Sequence, residues 1–357
     1  MVRHTVGRRE DVARLAGVSA RTVSNVVNGT VQVSPATRER VLAAIEQLDY
    51  RPSEVGRMLR SGRSGMVALV VPDLDNPYFA ELARKLGEEG RRHGYTLMIE
   101  QTAGVRERER ELLARADTKA VFDGLVVSPL ALTDGDLSRA SRTRRPVVLL
   151  GEEPHPGFDH VQIDNSAAAR DAVRHLLATG RERVVAVGAQ RSQASSSSLR
   201  LAGFEEAMAG APWASADVAY VGSFTRRAGA EATRRILRGR TLPDALFCFS
   251  DLLALGALRA LHDAGISVPE QVAVVGFDDI EDGRYSTPGL TTVSPDKAAI
   301  AKDAMAALVG RIGGDDGEPR RILAPHRLVV RESSGRGAQA AGAATLVSSR
   351  SAATSSR

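Results

Sequence analysis

Residues 9–29 of the chain read REDVARLAGVSARTVSNVVNG, two short amphipathic patterns separated by a glycine. The apolar positions of the first pattern are Val12, Leu15 and Ala16. The apolar positions of the second are Val23, Val26 and Val27. Gly17 is the stop signal of the first predicted helix, and Ser19 is the predicted N-cap of the second. Two short helices joined by a tight glycine turn predict a helix-turn-helix.

The second helix of this motif enters the major groove of DNA with its N-terminal residues at the base edges. Those residues here are Ala20, Arg21 and, one turn later, Asn25. Arginine pairs bidentately with guanine, asparagine with adenine, and alanine contacts the thymine methyl group. The alternative is an unrelated three-helix bundle, which uses the same caps and apolar stripes.

A third helix is predicted in the next segment, VSPATRERVLAAIEQLDY at residues 33–50. Ser34 is its predicted N-cap and Pro35 stands at the first helical position, which tolerates proline. Its predicted inner face comprises Val41, Leu42, Ile45 and Leu48. The first sixty residues therefore predict a small all-α module.

The charge of the chain is concentrated in this module. The first 65 residues carry eleven arginines against six acidic side chains, which equals the net charge of +5 for all 357 residues. A basic module on a neutral partner is the footprint of nucleic-acid binding. Binding to a membrane surface is the alternative, but the module lacks one long basic amphipathic helix with aromatic anchors.

Length and composition set further expectations. A chain of 357 residues predicts two or three domains with ample material for a core. No apolar run approaches the roughly 18 residues that span a bilayer, and the first ten residues contain no apolar signal region. A cytoplasmic protein is expected. Cys248, the single cysteine, excludes an intrachain disulfide and is expected to be a buried, inert thiol in the run ALFCFS.

From Met66 the pattern changes to short apolar strands that alternate with amphipathic helices. The predicted strands, each expected to be buried on both faces, are MVALVV, YTLMIE, FDGLVVS, PVVLL, RVVAVG, DALFCFS and QVAVVG. Repeated alternation predicts parallel sheets covered by helices. About 270 residues exceed one ordinary sheet, so we expect two α/β lobes that divide near Asn165 and exchange late strands.

Ligands of such sheets bind beyond the carboxyl ends of the strands, which places a site in the cleft between the lobes. The side chains predicted there are Tyr78, Phe79, Ser128, Asp164, Arg200, Phe224, Asp251 and Asp278. Aromatic faces, an arginine and carboxylates suit a polyhydroxylated ligand. The alternative for Asp251 is a helix N-cap, and for Tyr78 and Phe79 it is packing between lobes.

The amino-acid sequences of several segments resemble those of the lactose-repressor (LacI/GalR) family. The headpiece motifs are DVARLAGVSARTVSNVVNG, VSPATRERVLAAIEQLDYRP and VGRMLRSGRS, and the core motifs are GLVVS, HVQIDN, RLAGF, ALFCFSDLLALGAL and VAVVGFDDI. The resemblance implies a hinge helix after the third helix, formed when two subunits meet on an operator. Leu59 matches the leucine that wedges into the minor groove, and Arg60 matches the next position. A helix this short is marginal in water. The alternative role for Leu59 is packing on the core.

The same resemblance implies an effector-binding core similar to periplasmic sugar-binding proteins. Positions matching Tyr78, Phe79, Arg200, Phe224 and Asp278 contact the effector in relatives. A second arginine of the purine branch aligns near Ala194, so a sugar or polyol is expected rather than a purine. The C-terminal tail lacks a leucine heptad, and a homodimer is expected rather than a tetramer.

One departure from the family pattern stands before the first helix. Arg8 and Arg9 replace the usual threonine and apolar residue, so Gly7 is a candidate N-cap. Both arginines are expected to reach DNA phosphates, which adds salt-dependent affinity without sequence preference.

These observations predict a dimeric regulator, a repressor, that binds a pseudo-palindromic operator and responds to a small effector. The predicted DNA-binding residues are Arg9, Ser19, Ala20, Arg21, Thr22, Ser24, Asn25, Asn28, Leu59 and Arg60. The predicted segments are a headpiece at 1–52, a hinge at 53–65, a first lobe at about 66–165 and 296–322, a second lobe at about 166–295 and 323–333, and a disordered tail at 334–357.

The sequence contains no recognisable catalytic motif. There is no GxxxxGK, no GxSxG and no histidine pair at metal-binding spacing. No enzymatic activity, cofactor or metal is therefore expected. Two alternatives stay open, a solute-binding protein without a DNA role and a sugar-processing enzyme.

Overall fold

The structure, a computed structural model, describes residues 8–28, 31–50, 63–118, 121–140, 145–151, 155–190 and 196–335. It contains two compact units, a headpiece that ends at Gly65 and a core that begins at Met66. The predicted hinge positions Leu59 and Arg60 lie outside the described residues, as does Ala194.

Three helices build the headpiece, as the sequence predicts: α1 (Arg9–Ala16), α2 (Ala20–Asn28) and α3 (Pro35–Gln47). Small side chains form its core, which allows short helices to approach closely. The buried core residues are Val12, Ala13, Ala16, Val23, Val26, Val41 and Ala44.

Two leucines predicted for the inner faces point outward instead. Leu15 is 48% exposed and Leu42 is 49% exposed, whereas Ala13 and Ala44 are buried. Apolar spacing gives the direction of a helical face only approximately, and packing between the helices sets its centre. The prediction for these two leucines is wrong.

The helix boundaries follow from local hydrogen bonds. Gly17 adopts a left-handed conformation with φ of 63° and ends α1. The Ser19 hydroxyl accepts the amide N–H of Thr22 at 3.1 Å, and the Ser34 hydroxyl accepts that of Thr37 at 3.4 Å. Both predicted serine caps are confirmed.

Arg8 occupies the N-cap position of α1, so the expectation that Gly7 caps this helix is wrong. The Asp11 carboxylate accepts the Arg8 amide N–H at 3.0 Å. An acidic residue in the first turn also interacts favourably with the helix dipole. Asp11 thus supplies part of the stabilisation that the usual threonine would provide.

The core has two α/β lobes. The first lobe contains β1 (Met66–Val71), α4 (Pro77–Arg92), β2 (Thr96–Gln101), α5 (Arg106–Thr118), β3 (Gly124–Val127), α6 (Asp134–Ala140), β4 (Val147–Leu150), β5 (Asp159–Gln162), α12 (Lys297–Ile312) and β11 (Arg321–Leu323). The second lobe contains α7 (Asn165–Ala178), β6 (Arg183–Ala189), α8 (Ser196–Ala209), β7 (Ser215–Tyr220), α9 (Arg226–Leu237), β8 (Ala245–Cys248), α10 (Asp251–Asp263), β9 (Ala273–Phe277), α11 (Glu281–Arg284), β10 (Thr291–Pro295) and β12 (His326–Val329).

Each lobe is built on a six-stranded sheet. The strand orders are β11-β5-β4-β3-β1-β2 and β12-β10-β9-β8-β6-β7. All pairs are parallel except β10 with β12. Central strands covered by helices read as continuous apolar runs, and Cys248 in β8 is fully buried, as predicted. The edge strand β2 departs from this prediction, since Met98 and Ile99 are 42% and 45% exposed.

The chain passes between the lobes three times, after β5, after β10 and after β11. Leu323 closes a strand of the first sheet, although the sequence assigned it to the second lobe. Ser334, the first residue of the predicted disordered tail, is 1% exposed, and its hydroxyl lies 2.8 Å from His175 Nε2. The core therefore includes Ser334, and residues 336–357 lie outside the described residues.

Candidate functional site

Helix α2 presents several of the predicted DNA-binding side chains at the headpiece surface. Arg21 is exposed, while Thr22, Ser24 and Asn25 are half-buried. Val23 and Val26 anchor the opposite face in the headpiece core. The first two turns of α2 therefore offer an arginine and three hydrogen-bonding side chains, the residue types that read base edges.

The remaining predicted DNA-binding residues differ in their surroundings. Ala20 packs against the headpiece core and is half-buried, which limits its contact with a base. The Ser19 hydroxyl lies 2.9 Å from that of Thr22. Arg9 forms an ion pair with its neighbour Glu10 at 3.0 Å. Asn28 is the last residue of α2, and its side chain is not among the parts of the chain that the structure describes.

A cavity of about 530 Å³ lies between the two lobes of the core. Six of the eight predicted effector residues line it: Tyr78, Phe79, Ser128, Arg200, Phe224 and Asp278. The first three come from the first lobe and the last three from the second. Its size falls within the ~300–1,000 Å³ range of small-molecule sites.

Arg200 is the centre of the second-lobe side, with 7% of its surface exposed. Its Nε donates to Asn165 Oδ1 at 2.9 Å, and its Nη1 donates to the Phe249 carbonyl oxygen. The guanidinium carbon lies 3.6 Å from the ring centroid of Phe277. These contacts fix the plane of the guanidinium group.

Arg200 and Asp278 stand side by side at the cavity. Arg200 Nη2 lies 3.8 Å from Asp278 Oδ1, a separation that is too long for a hydrogen bond. A ligand hydroxyl beside the pair can accept from the guanidinium and donate to the carboxylate. Two adjacent hydroxyls of a polyol match this arrangement of donor and acceptor.

Asp278 is held in place by its own loop. Asp278 and Asp279 both have positive φ, 114° and 48°, conformations that non-glycine residues adopt rarely. Lys297 Nζ donates to the carbonyl oxygens of both residues at 2.9 Å, and Arg331 Nη2 bonds to Asp279 Oδ1 at 2.6 Å. The loop therefore presents a preorganised carboxylate.

Asp251 does not line the cavity, contrary to the prediction. It is fully buried, and its carboxylate accepts the Ile280 amide N–H at 2.9 Å and bonds to the Thr292 hydroxyl at 2.6 Å. Burial, followed by the negative charge of Asp278, raises the pKa of Asp251 well above its usual value. The alternative role also fails, since Ser250 is the N-cap of α10.

Asp164 is likewise absent from the cavity lining. It is the N-cap of α7, where its carboxylate accepts the Ala167 amide N–H at 2.9 Å. The neighbouring Asn165 and Gln162, both buried, line the cavity instead. The segment VQIDN therefore identified the right strand end, but its acidic residue, Asp164, caps the following helix and does not face the cavity.

Tyr78 and Phe79 begin the first helix of the first lobe. The Asn76 side chain caps this helix by accepting the Tyr78 amide N–H at 3.1 Å. The two rings lie edge to face, 5.2 Å apart at 79°. Both are half-buried and pack against the core while lining the cavity. The same two side chains therefore both line the cavity and pack against the core.

Several cavity residues were missed by the sequence reasoning. Polar examples are Asn76, Gln101, Gln162, Asn165, Gln190, Ser223 and Thr225, and the apolar examples include Leu130. They lie at or after the ends of strands, a position that can be predicted from the sequence. Loop conformation, however, decides which of the residues at strand ends face the cavity. Below, the first-lobe wall denotes Tyr78, Phe79, Ser128 and Leu130. The second-lobe wall denotes Asn165, Arg200, Phe224 and Asp278.

The described residues contain neither a candidate metal site nor a candidate membrane span. No group of three or more histidine, cysteine or acidic side chains has the geometry of a metal site there. In the same part of the chain, no helix has the length and apolarity needed to cross a bilayer.

Two family models match the chain. Residues 10–53 match the model of bacterial regulatory proteins of the lacI family, and residues 173–334 match a periplasmic binding protein-like domain. The HTH-type transcriptional repressor PurR of Aliivibrio salmonicida (strain LFI1238) is 34% identical over 91% of this chain and 98% of its own length. The chain belongs to the LacI family.

Solved structures of LacI-family proteins agree with this assignment. The complex of the transcriptional regulator CelR with cellobiose is 34% identical, with a TM-score of 0.66, over 92% of this chain and 99% of that one. The lac repressor dimer bound to operator and the anti-inducer ONPF is 26% identical, with a TM-score of 0.83, over 93% of this chain and 100% of that one. The predicted fold class is confirmed.

Membership of the LacI family settles the broad function. The chain is a DNA-binding transcriptional regulator with a ligand-binding core. The PurR relative and the lac repressor are transcriptional regulators rather than enzymes.

Proposed function

We propose that this regulator is a cytoplasmic, homodimeric repressor that binds a pseudo-palindromic operator and is controlled by a sugar or polyol. Each headpiece reads one half-site through Arg21, Thr22, Ser24 and Asn25 of α2. The effector binds between the lobes, and no chemical turnover accompanies binding. The domain boundaries are those predicted from the sequence, except that Leu323 belongs to the first lobe and Ser334 to the core.

The observation that carries the effector proposal is the Arg200–Asp278 pair. Donor and acceptor stand 3.8 Å apart at a cavity that also contains aromatic side chains. Vicinal hydroxyls satisfy both groups, while the ring faces of a sugar pack against the aromatic side chains. A purine offers fewer groups that both donate and accept.

The relatives support the proposal to different degrees. CelR is described in complex with cellobiose, a sugar, and the lac repressor as a dimer bound to operator. The PurR relative is named a repressor. The dimer and the operator are therefore proposed by similarity, and the sugar by similarity together with the cavity chemistry.

The proposed switch is a change in lobe closure. An effector that contacts both walls prefers one separation of the lobes, so it shifts the population of that state. The headpieces of a dimer follow the pairing of the first lobes, and their affinity for DNA changes by the same coupling free energy. In this proposal, the hinge residues Leu59 and Arg60 join the operator contact at its centre.

Fluorescence anisotropy of the purified protein tests the proposal. The probes are DNA fragments from upstream of its own and neighbouring genes, at one fixed physiological salt concentration, with and without a panel of sugars. Tight binding to one fragment, altered by one sugar, is expected. Binding without fragment preference contradicts the operator proposal, and preference without response to any sugar contradicts the effector proposal.

Two arginine variants, one in the headpiece and one in the core, test the role of α2. Arg21→Ala is expected to weaken specific binding by about 1–3 kcal/mol, because it removes a base contact. Arg240→Ala removes another exposed positive charge, from the core, and is expected to leave specific binding unchanged. Equal losses in the two variants mean that Arg21 acts only through net charge.

A further inference from the structure

Leu130 exposes an apolar side chain to the cavity between the lobes. It follows β3 in the first lobe, lines the cavity and is 58% exposed. Exposed apolar surface is unfavourable in water, and that free-energy cost is recovered when an apolar surface covers it. A leucine at this place therefore favours a ligand with an apolar face or substituent.

The loop that carries Leu130 is fixed by a buried carboxylate. Glu109 on α5 is 2% exposed, and its two oxygens accept the amide N–H groups of Leu130 at 2.9 Å and Ala131 at 3.0 Å. The Thr102 hydroxyl lies 3.4 Å from the same carboxylate. Charge-assisted hydrogen bonds of this kind are stronger than neutral ones. Leu130 is thus held in position rather than exposed on a loose loop.

The neighbouring loop makes room for the leucine. Ala103 and Gly104 both adopt left-handed conformations, with φ of 56° and 65°, and the Gly104 amide N–H donates to the Thr102 hydroxyl at 3.2 Å. A Cβ atom at Gly104 would lie 2.8 Å from Leu130 Cδ2, closer than carbon atoms approach. The glycine therefore permits the position that Leu130 takes.

The two sides of the cavity thus differ in chemistry. The second-lobe wall offers the charged Arg200–Asp278 pair, and the first-lobe wall offers the apolar side chains of Leu130, Tyr78 and Phe79. In a sugar ligand, a hydroxylated ring would satisfy the charged pair, and an apolar face of a further unit would cover the fixed leucine. A ligand with a second unit reaches both.

We propose that Leu130 forms an apolar second subsite and that the effector is a disaccharide or a comparable two-unit glycoside rather than a free monosaccharide. Glu109 acts through Leu130 and is a positioning residue. This inference rests on the proposed sugar-responsive function and names the size class of its effector.

Isothermal titration calorimetry with the full-length protein tests the inference. The probes are three disaccharides, cellobiose, maltose and lactose, and three monosaccharides, glucose, galactose and ribose. The wild-type protein is expected to bind at least one disaccharide about tenfold more tightly than any of the monosaccharides. Leu130→Ala is expected to remove most of that difference without weakening monosaccharide binding, since it removes only the second subsite.

Leu242→Ala is the matched control, because Leu242 is an exposed leucine of the second lobe that does not line the cavity. It is expected to leave every affinity unchanged. A monosaccharide that binds as tightly as the disaccharides overturns the inference and leaves the proposed function standing. An unchanged disaccharide preference in Leu130→Ala also overturns it. If no probe binds while one DNA fragment is still preferred, the sugar effector and the second subsite both fail.

Glu109→Gln tests the positioning role separately. The amide nitrogen of glutamine cannot accept a backbone N–H, so one of the two bonds to residues 130 and 131 is lost. The ratio of disaccharide to monosaccharide affinity is expected to fall severalfold, although the variant still folds. A lower melting temperature with an unchanged ratio contradicts the positioning role, since a purely structural residue weakens both ligand classes equally.

Discussion

The two walls of the cavity are preorganised by different means. In the second-lobe wall, charged groups hold one another: Lys297 and Arg331 fix the loop of Asp278, and Asp251 lies buried beneath it. In the first-lobe wall, aromatic and aliphatic side chains sit on a helix start and on a loop anchored by Glu109. The comparison indicates that the second lobe supplies affinity for hydroxyls and the first lobe selects size and shape.

The largest effect is expected from the buried support of the second-lobe wall. Asp251→Ala leaves the Ile280 amide and the Thr292 hydroxyl without their partner in a fully buried site, so it is expected to lower the free energy of unfolding by about 3 kcal/mol. Urea denaturation followed by circular dichroism measures it. Asp251→Asn keeps an acceptor and is expected to lose less than half as much. Equal losses would show that an amide cannot replace the carboxyl group there.

The sign of the pH effect follows from the raised pKa of Asp251. The folded protein holds this proton above the pH at which the unfolded chain releases it, so the contribution of Asp251 to stability declines as pH rises above the usual carboxyl range. Asp251→Asn is expected to remove that decline.

Ligand affinity provides the next test of the comparison. Asp278→Asn is expected to weaken binding of the best sugar in the panel about 100-fold, because a charged hydrogen bond is replaced by a neutral one at the most restrained part of the cavity. Asp282→Asn, at an exposed position on α11, is the control. Loss below threefold at Asp278, measured by calorimetry, breaks the assignment of affinity to the second lobe.

Acid is expected to act on the first lobe through His160. This side chain is 1% exposed, and its Nδ1 has no hydrogen-bond partner among the described residues. Burial, followed by the charge of Arg321, lowers the pKa of His160 to about 4. Below pH 6.5 the unfolded chain therefore binds more protons than the folded one, and stability falls as pH drops toward 4.

The expected loss between pH 7 and pH 5 is about 2 kcal/mol, from 1.36 kcal/mol per pKa unit. Denaturant titrations of the wild type and His160→Gln at both pH values measure it, and the variant is expected to show a flatter pH dependence. Identical profiles in the two proteins mean that other groups dominate acid unfolding.

The smallest effect is expected in the first-lobe wall. Phe79→Leu keeps an apolar side chain but removes the aromatic face, so sugar affinity is expected to fall about three- to tenfold. Phe158→Leu, a buried phenylalanine of the first lobe outside the cavity lining, is the control. If Phe79→Leu lowers sugar affinity as much as Asp278→Asn does, the second-lobe wall is not the main source of affinity, and the proposed division between the walls is contradicted.

The success of the sequence reasoning differed between the headpiece and the core. In the headpiece, caps and apolar spacing are local properties, and they predicted three helices and two of their serine caps. Leu15 and Leu42 were assigned to the wrong face because packing sets the orientation of short helices. In the core, strand ends indicated six cavity residues, while Asp164 and Asp251 were used for a helix cap and a buried loop support.

By itself the sequence determined the alternation of helices and strands in the core, the basic headpiece, the two-lobed architecture and the family, because these depend on periodicity, charge and motifs read along the chain. Only the tertiary structure decided which acid faces the ligand, that Asn165 rather than Asp164 lines the cavity, and that Glu109 fixes Leu130 across 21 residues of chain. Such contacts join residues far apart in sequence, and their geometry depends on loop conformations that no local pattern specifies.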